Sequence, residues 1–292
     1  AAADLRCIDR DDHFRNCTIK ILNPNMYMNK LPLLMTASVS TRGMVGACFT
    51  DEEREKMYRE SLMIYEKMLI GGGETYKIVF VYNSGLDLSY IKSSVKENPS
   101  IEFLSLDSED FDVTKGKGYN ELLLINKAVE KSVFIREAGG FFKVTGRYPI
   151  YNIKYFIDYA SKFILEYKGH LYIDIKDHNL YDRLGLGWCG HSADVRMFAA
   201  SLSFYNEFIG NRYTELNDYK GLLLEGLMYD VVKPMIHRSD VICRFKKEPH
   251  FGGLEGSNVA ALSFSKNQDS LKGKLKRFLG NVIRLFFPRF WF

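Results

Sequence analysis

Along the chain, apolar runs that read as buried strands alternate with stretches whose apolar residues recur every three or four positions. Residues 31–40 (LPLLMTASVS) are an apolar run that turns small and hydroxylated, the profile of a buried strand emerging at a ligand-facing edge. The segment TRGMVGACF after it reads as loop. From Thr50, TDEEREKMYRESLMIYEKML offers a capping threonine, acids in the first turn and Met57, Leu62, Tyr65 and Leu69 at helical spacing, which predicts a helix stopped by Gly71-Gly72-Gly73. YKIVFVYNSG (76–85) reads as a central parallel strand, followed by a short helix near Ser89 to Glu97, the strand IEFLSL (101–106) and an acidic loop, DSEDFD. GYNELLLINKAVEKS (118–132) is predicted helical, and FFKVTGRYPI (141–150) is a further strand running into a turn. A long amphipathic helix over 151–167, a strand at HLYIDIKD (170–177), a glycine-rich loop from Leu184 to Gly190 and two more helices, over ADVRMFAASLSFYNEFIG (193–210) and around LLLEGLMYDVVKPMI (222–236), complete the pattern.

This alternation predicts an α/β fold with a mostly parallel central sheet flanked by helices, in which ligands gather at the carboxyl ends of the strands. The polar strand ends to watch are Thr36 to Ser40, Asn83-Ser84 and Asp107. With no internal repeat or low-complexity linker, residues 1–269 are expected to form one catalytic domain and 270–292 an appendage.

Composition narrows the classes. The 292 residues are 46% hydrophobic and 14% aromatic, enough for a large core and against disorder. Forty Lys+Arg against 36 Asp+Glu leave a net charge of only +4, too little for a dedicated nucleic-acid binder. The cysteines Cys7, Cys17, Cys48, Cys189 and Cys243 are odd in number and never form CxxC, so free thiols are expected rather than a disulfide framework or zinc site. No stretch approaches the roughly 20 apolar residues of a membrane span. With no signal-like opening segment either, a cytoplasmic location is expected.

The sharpest chemistry lies in Lys143-Val144-Thr145-Gly146-Arg147-Tyr148. A glycine beside an arginine at a strand end lets backbone approach a ligand closely while the guanidinium grips two phosphate oxygens. Lys143 adds a charge, Thr145 a hydroxyl and Tyr148 a ring or phenol. The same residues also read as a strand-end turn whose arginine pairs with a core carboxylate.

The strand carrying K-V-T-G-R-Y, after GKGYNELLLINKAVEKS and before ADVRMFAASLSFYNEFI and EGLMY, resembles bacterial glycosyltransferases of surface-polysaccharide assembly with a GT-A-like fold, over roughly residues 31 to 235. The resemblance implies a nucleotide-sugar donor, a saccharide or lipid-linked acceptor, and a GT-A-like nucleotide-binding domain. Such enzymes hold a divalent metal through an Asp-x-Asp at this strand end, which the sequence lacks. Asp110-Phe111-Asp112 and Asp9-Arg10-Asp11 come too early in the order of elements, so no metal is expected to be required, with Arg147 and Lys143 neutralising the diphosphate directly. Thr36, Ser38 and Asn83 are then expected near the nucleoside. Lys117, Asn120 and Glu121, in the first turn after Lys115-Gly116-Lys117-Gly118, are expected near phosphate, where helix-start amides gather anions.

Transfer needs a base within reach of the acceptor hydroxyl. Glu225, in an apolar helix where an acid is costly unless paired or used, and Asp194 are the candidates, with His191 behind them. Glu225 also reads as an ion pair with Arg196 or Arg212; Asp194 and Arg196 read equally as donor-sugar contacts or a helix cap. Neither HExxH nor GxSxG is present, which argues against metalloprotease and serine hydrolase chemistry. A sugar-phosphate nucleotidyltransferase, with TRGMVG as a poor version of its signature, and a non-catalytic membrane-bound scaffold are the rival readings.

From Leu271, apolar residues recur at Leu275, Phe278, Leu279, Val282, Ile283 and Phe286, with Lys272, Lys274, Lys276, Arg277 and Arg284 largely elsewhere on the wheel, before Pro288 and Phe290-Trp291-Phe292. This basic amphipathic pattern over 271–292 is expected to lie on an anionic membrane surface, placing the enzyme on the inner face of the cell membrane. A helix docked on the enzyme's own core is the competing reading.

Overall fold

A computed structural model describes residues 30–41, 43–44, 48–71, 76–83, 87–95, 97–106, 111–178, 183–184, 190–253 and 270–286. Asp9, Asp11, Ser84, Asp107, Asp110, most of the Leu184–Gly190 loop, Pro288 and the terminal aromatics lie outside the described residues, as do Cys7, Cys17 and Cys189. Cys48 and Cys243 are free thiols.

The first strands form where the apolar runs predict them: β1 (Leu33–Ala37), β2 (Ile78–Tyr82), β3 (Ile101–Ser105) and β4 (Gly140–Thr145). All four run parallel, β1 lying between β2 and β4 with Met35 opposite Phe80 on one side and Val144 on the other. Helix α1 (Asp51–Tyr65) carries the anticipated capping box: the Thr50 side chain accepts from the Glu53 amide and the Glu53 carboxylate from the Thr50 amide. A π-turn over Glu66–Ile70 extends it to Gly71. Three helices follow before β4 or after β2: α2 (Ser89–Lys92), α3 (Lys117–Lys131) and α4 (Val133–Ala138). Beyond β4 come α5 (Ile153–Ser161) and the short strands β5 (Leu171–Tyr172), β6 (Ile175–Lys176) and β7 (Ser192–Ala193). The described chain continues through β8 (Met197–Ser201), α6 (Leu202–Phe208), α7 (Leu224–Val232), β9 (Val241–Ile242) and α8 (Leu271–Phe286).

The central sheet has seven strands in the order β3-β2-β1-β4-β8-β5-β9, with β8 antiparallel to both neighbours, while β6 and β7 form a separate hairpin. The α/β class with a mostly parallel, helix-flanked sheet and a C-terminal helix is therefore present. Two expectations need correction. The helix predicted over 193–210 is a strand to Ser201 and a helix only from Leu202. MFAAS is buried on both faces, Met197 and Ala199 packing on one side of the sheet and Phe198 and Ala200 on the other; a short run apolar on every face does not distinguish strand from helix. The single strand expected at 170–177 is broken after Tyr172, because β5 joins the main sheet while Ile175–Lys176 turns away to pair with β7.

Alternation along β1, β4 and β8 feeds two apolar cores. One takes Leu33, Met35, Phe142 and Val144 against α1 and α5; the other takes Leu34, Phe141 and Phe198 against α3, α4, α6 and α7. The strand order reverses across β1 and β4, whose carboxyl ends open side by side.

Candidate active site

At that crossover lies a cleft of ≈ 600 Å³, lined by the ends of β1 and β4, the start of α3 and one face of α1. Open parallel sheets bind ligands at such a switch point, where neighbouring crossovers leave on opposite faces. Gly146 explains how the two strand ends come together: its amide donates to the Thr36 carbonyl at 2.9 Å, and a Cβ there would stand 2.8 Å from that oxygen and 3.2 Å from the Tyr58 ring. Only glycine fits the turn without moving β1 or α1.

The floor is a polar network in an otherwise apolar setting. Glu121 of α3 meets the Lys143 ammonium at 2.5 Å and accepts from the Thr36 and Thr145 hydroxyls at 3.0 and 3.1 Å. Lys143 also donates to the Val195 carbonyl at 2.6 Å and to Thr145 at 3.0 Å. Burial opposes the charge on Glu121, but the Lys143 ammonium and these hydrogen bonds hold its pKa below the usual glutamate range. Lys143 is 0% exposed. It does not reach a ligand in the cleft, as the sequence led us to expect, but neutralises the carboxylate beneath it.

Above this floor three cations converge. The Arg147 guanidinium stacks on the Tyr148 ring at 4.8 Å and donates to its hydroxyl at 2.7 Å, while its buried Nε makes no hydrogen bond. No carboxylate pairs with Arg147 among the described residues, so the turn is not closed by a core ion pair. Arg54 of α1, 5% exposed, donates from Nε to the Ser38 and Val39 carbonyls at 2.7 and 3.2 Å, and from Nη2 to the Ser38 carbonyl as well. Lys117 is the third; partial burial, then repulsion from Arg147, lower its pKa, with Arg54 adding to the repulsion. Arg54 was missed in the sequence, where it sits among Glu52, Glu53 and Glu55 on what reads as a solvated helix face. The readable signal was its i,i+4 partner Tyr58, whose hydroxyl takes both Arg54 at 3.3 Å and the Ser38 amide at 3.0 Å.

Several anticipated ligands have other duties. Asn120 lines the cleft, yet its amide clamps the preceding loop, donating to the Asp112 and Gly116 carbonyls at 2.7 and 2.6 Å and accepting from the Asp112 amide at 3.0 Å. The helix-start amides expected near phosphate are already taken: Lys117 N donates to Asp218 Oδ2 at 2.7 Å and Gly118 N to the same carboxylate at 3.2 Å. Asp112 closes a small turn, its carboxylate accepting from the Thr114 amide and hydroxyl at 2.8 and 2.6 Å. Asn83, at the end of β2, is 2% exposed and is not among the residues lining the cleft; its side-chain oxygen and nitrogen both lack hydrogen-bond partners among the described residues.

The two candidate bases part company. Glu225 stands at the exposed start of α7, whose Leu224 packs beside Gly118, and it forms an ion pair with neither Arg196 nor Arg212. Surrounding protein raises its pKa, and the Glu121 and Asp218 carboxylates raise it further. Asp194 faces a different cleft and is held in a two-pronged pair by Arg196 at 2.8 and 2.6 Å. Burial opposes its charge, but Arg196 brings its pKa below the usual range. Asp194 and Arg196 thus satisfy one another rather than meeting in the first cleft.

Among its described lining the first cleft presents three cations and one carboxylate that Lys143 already neutralises, a donor set that does not suit a divalent cation. Among the described residues no group of three His, Cys, Asp or Glu could hold a metal ion.

No protein-family model matches the chain, and no curated protein sequence matches it. Among solved structures, it is similar to the WbbM bifunctional glycosyltransferase (11% identity, TM-score 0.40), over 76% of this chain but only 40% of that one. It is also similar to the galactosyltransferase LgtC in complex with donor and acceptor sugar analogues (8% identity, TM-score 0.42, 73% of each chain). Mouse xyloside xylosyltransferase 1 aligns over 73% of this chain and 84% of its own, at 11% identity and a TM-score of 0.43.

Proposed function

We propose that the chain is a glycosyltransferase with a GT-A-like catalytic domain, moving a sugar from a nucleotide donor to a saccharide or lipid-linked acceptor in the assembly of a surface polysaccharide. The observation that carries this reading is the convergence of Arg147, Arg54 and Lys117 on a cleft at the sheet's crossover, with no free carboxylate among its described lining to balance them. A nucleoside diphosphate supplies the missing negative charge, and the two guanidinium groups match its oxygens. The K-V-T-G-R-Y turn, by its resemblance to surface-polysaccharide glycosyltransferases, names the reaction.

In this mechanism the acceptor hydroxyl attacks the anomeric carbon as the bond from that carbon to the diphosphate oxygen breaks. Charge growing on the diphosphate falls to Arg147, Arg54 and Lys117, in the place where related enzymes hold a metal, so the reaction is metal-independent. Glu225, whose raised pKa suits proton transfer, takes the hydroxyl proton. Thr36, Ser38 and Thr145 shape the cleft, Gly146 sets its width and Tyr148 orients Arg147. Asn83, whose amide group lacks partners among the described residues, is assigned to the nucleobase edge.

Arg147→Ala tests the reading. Losing a charge-assisted, bidentate contact should weaken nucleoside diphosphate binding about 10- to 150-fold, with the unfolding midpoint little changed because Arg147 holds no structural ion pair. Calorimetry against a panel of nucleoside diphosphates and nucleotide sugars, with and without manganese, gives the answer. Unchanged binding in folded Arg147→Ala would overturn the donor assignment, and binding that requires manganese would overturn metal independence.

A further inference from the structure

A second cleft lies between the body and the inner face of α8. Its described walls carry five basic side chains against three carboxylates, and two of the acids are each gripped by an arginine. Arg284 of α8 spans Asp174 at 2.9 and 2.8 Å, and Arg196 spans Asp194. Lys176, Arg244 and Lys276 complete the basic set. Burial, then the neighbouring Arg284, lowers the pKa of Arg244, while Asp174 and Glu248 act against the shift.

This cleft shares a wall with the first. Arg196, whose guanidinium lies 4.1 Å over the Phe251 ring in the second cleft, gives its backbone carbonyl to the Thr145 amide of the first at 2.8 Å. Phe251 in turn bridges to Ile150, directly beyond the Thr145–Tyr148 turn. The turn that carries Arg147 thus has one cationic cleft on each side, and the second is roofed by the helix whose apolar face is turned outward.

We infer that the second cleft binds a phosphomonoester or diphosphate group, held by Arg244, Lys276 and Lys176 over the Arg196 and Arg284 pairs. A phosphomonoester carries about −1.5 to −2 charges near neutral pH, which matches the excess of two cations among the described lining residues. Identifying that group as the phosphate of the acceptor rests on the glycosyltransferase reading; the phosphate site itself does not. Carried on a lipid under α8, it would bring the acceptor's sugar end to the shared wall.

Calorimetry of the full chain with inorganic pyrophosphate separates the two. The wild type should bind two equivalents. Arg244→Ala and, independently, Lys276→Ala on α8 should each weaken one site about tenfold or more and leave the other intact; Arg147→Ala should do the converse. Two unaltered sites in both Arg244→Ala and Lys276→Ala, or a single wild-type site abolished by Arg147→Ala, would overturn the second site. Loss confined to Arg244→Ala and Lys276→Ala, with Arg147→Ala silent, would keep it and sink the donor reading instead. Vesicles containing phosphatidic acid, matched in surface charge by phosphatidylglycerol, identify the source. Preference for the phosphomonoester lipid that disappears in Arg244→Ala assigns a lipid headgroup. No lipid preference alongside two pyrophosphate sites assigns a soluble phosphate ligand, and a preference that persists in Arg244→Ala contradicts the site.

Discussion

Two carboxylates that look alike in the sequence have opposite surroundings, and this makes their roles separable by stability as well as by rate. Asp194 faces Arg196 and its pKa is depressed, so its contribution to stability is present above the unfolded-state value and fades as pH falls through the lower folded value. Glu225 is the reverse: its folded pKa is raised, so the native state binds the extra proton between the ordinary glutamate value and the raised one. Stability falls as pH climbs through that window, and at neutral pH the charged Glu225 is a cost. Glu225→Gln should therefore raise the urea midpoint at neutral pH, remove the acid limb of the kcat/KM profile and slow turnover about a hundredfold or more. Asp194→Asn should lower the midpoint, by about 1 to 3 kcal/mol for a broken, partly buried pair, with a smaller effect on turnover. A destabilised, fully active Glu225→Gln would remove it as the base.

Among the elements, α3 concentrates most of the site, and its first turn is fixed from a hundred residues away. Asp218 accepts from the Lys117 and Gly118 amides, acting as the side-chain cap that Gly116 cannot supply. Any side chain at Gly116, whose φ is +90°, would also collide with Asp218 at 2.5 Å. Asp218→Ala should cost about 1 to 2 kcal/mol of stability, and Asp218→Asn less because an acceptor remains. If those amides instead cradle the donor's phosphates, removing Asp218 would tighten nucleotide binding; calorimetry on the two variants distinguishes the outcomes. Local pattern revealed much of this architecture: Thr50 and Glu53 marked the start of α1, short apolar runs marked β1 to β4, and Gly146-Arg147 marked the strand end that bears the cations. What it could not show was pairing between distant segments. Asp218 capping α3, Lys143 meeting Glu121, Arg196 answering Asp194 and Arg54 folding back on Ser38 are all set by how elements pack, and each side chain alone had an equally good local explanation. β8 escaped for a related reason: its apolar run continues directly into α6 with no turn residue between them, so it read as the first turns of that helix.

At the scale of the whole molecule, α8 is attached the wrong way round for a helix that serves only the core. Its inner face is polar: Arg284 grips Asp174, Asn281 Oδ1 accepts from the Glu248 amide at 2.8 Å, and Gly280 lies against the Glu248 carboxylate. The outer face holds Leu271, Leu275, Phe278, Leu279, Leu285 and Phe286, exposed by 88% at Leu271, 64% at Phe278 and 50% at Leu279. No helix among the described residues is long and apolar enough to cross a membrane, and the 16 residues of α8 make only about 24 Å at ~1.5 Å per residue. The helix carries five cations and no acid. Arg284 turns inward to Asp174 and Lys276 lines the second cleft, which leaves Lys272, Lys274 and Arg277 to accompany the apolar face. This pattern fits a helix lying flat among anionic headgroups, each cation near the surface adding about 1 kcal/mol and each inserted Leu or Phe about 1 to 2 kcal/mol. We expect Leu275→Ser, Phe278→Ser and Leu279→Ser combined to abolish co-sedimentation with phosphatidylglycerol vesicles, leaving the unfolding midpoint and transfer to a short soluble acceptor unchanged, because none of the three touches the docked face. Wild-type binding should weaken in high salt and on neutral phosphatidylcholine. Equal vesicle binding by the triple variant would refute the anchor, and a wild-type dimer in vesicle-free solution that the variant loses would give this face to a second copy of the chain.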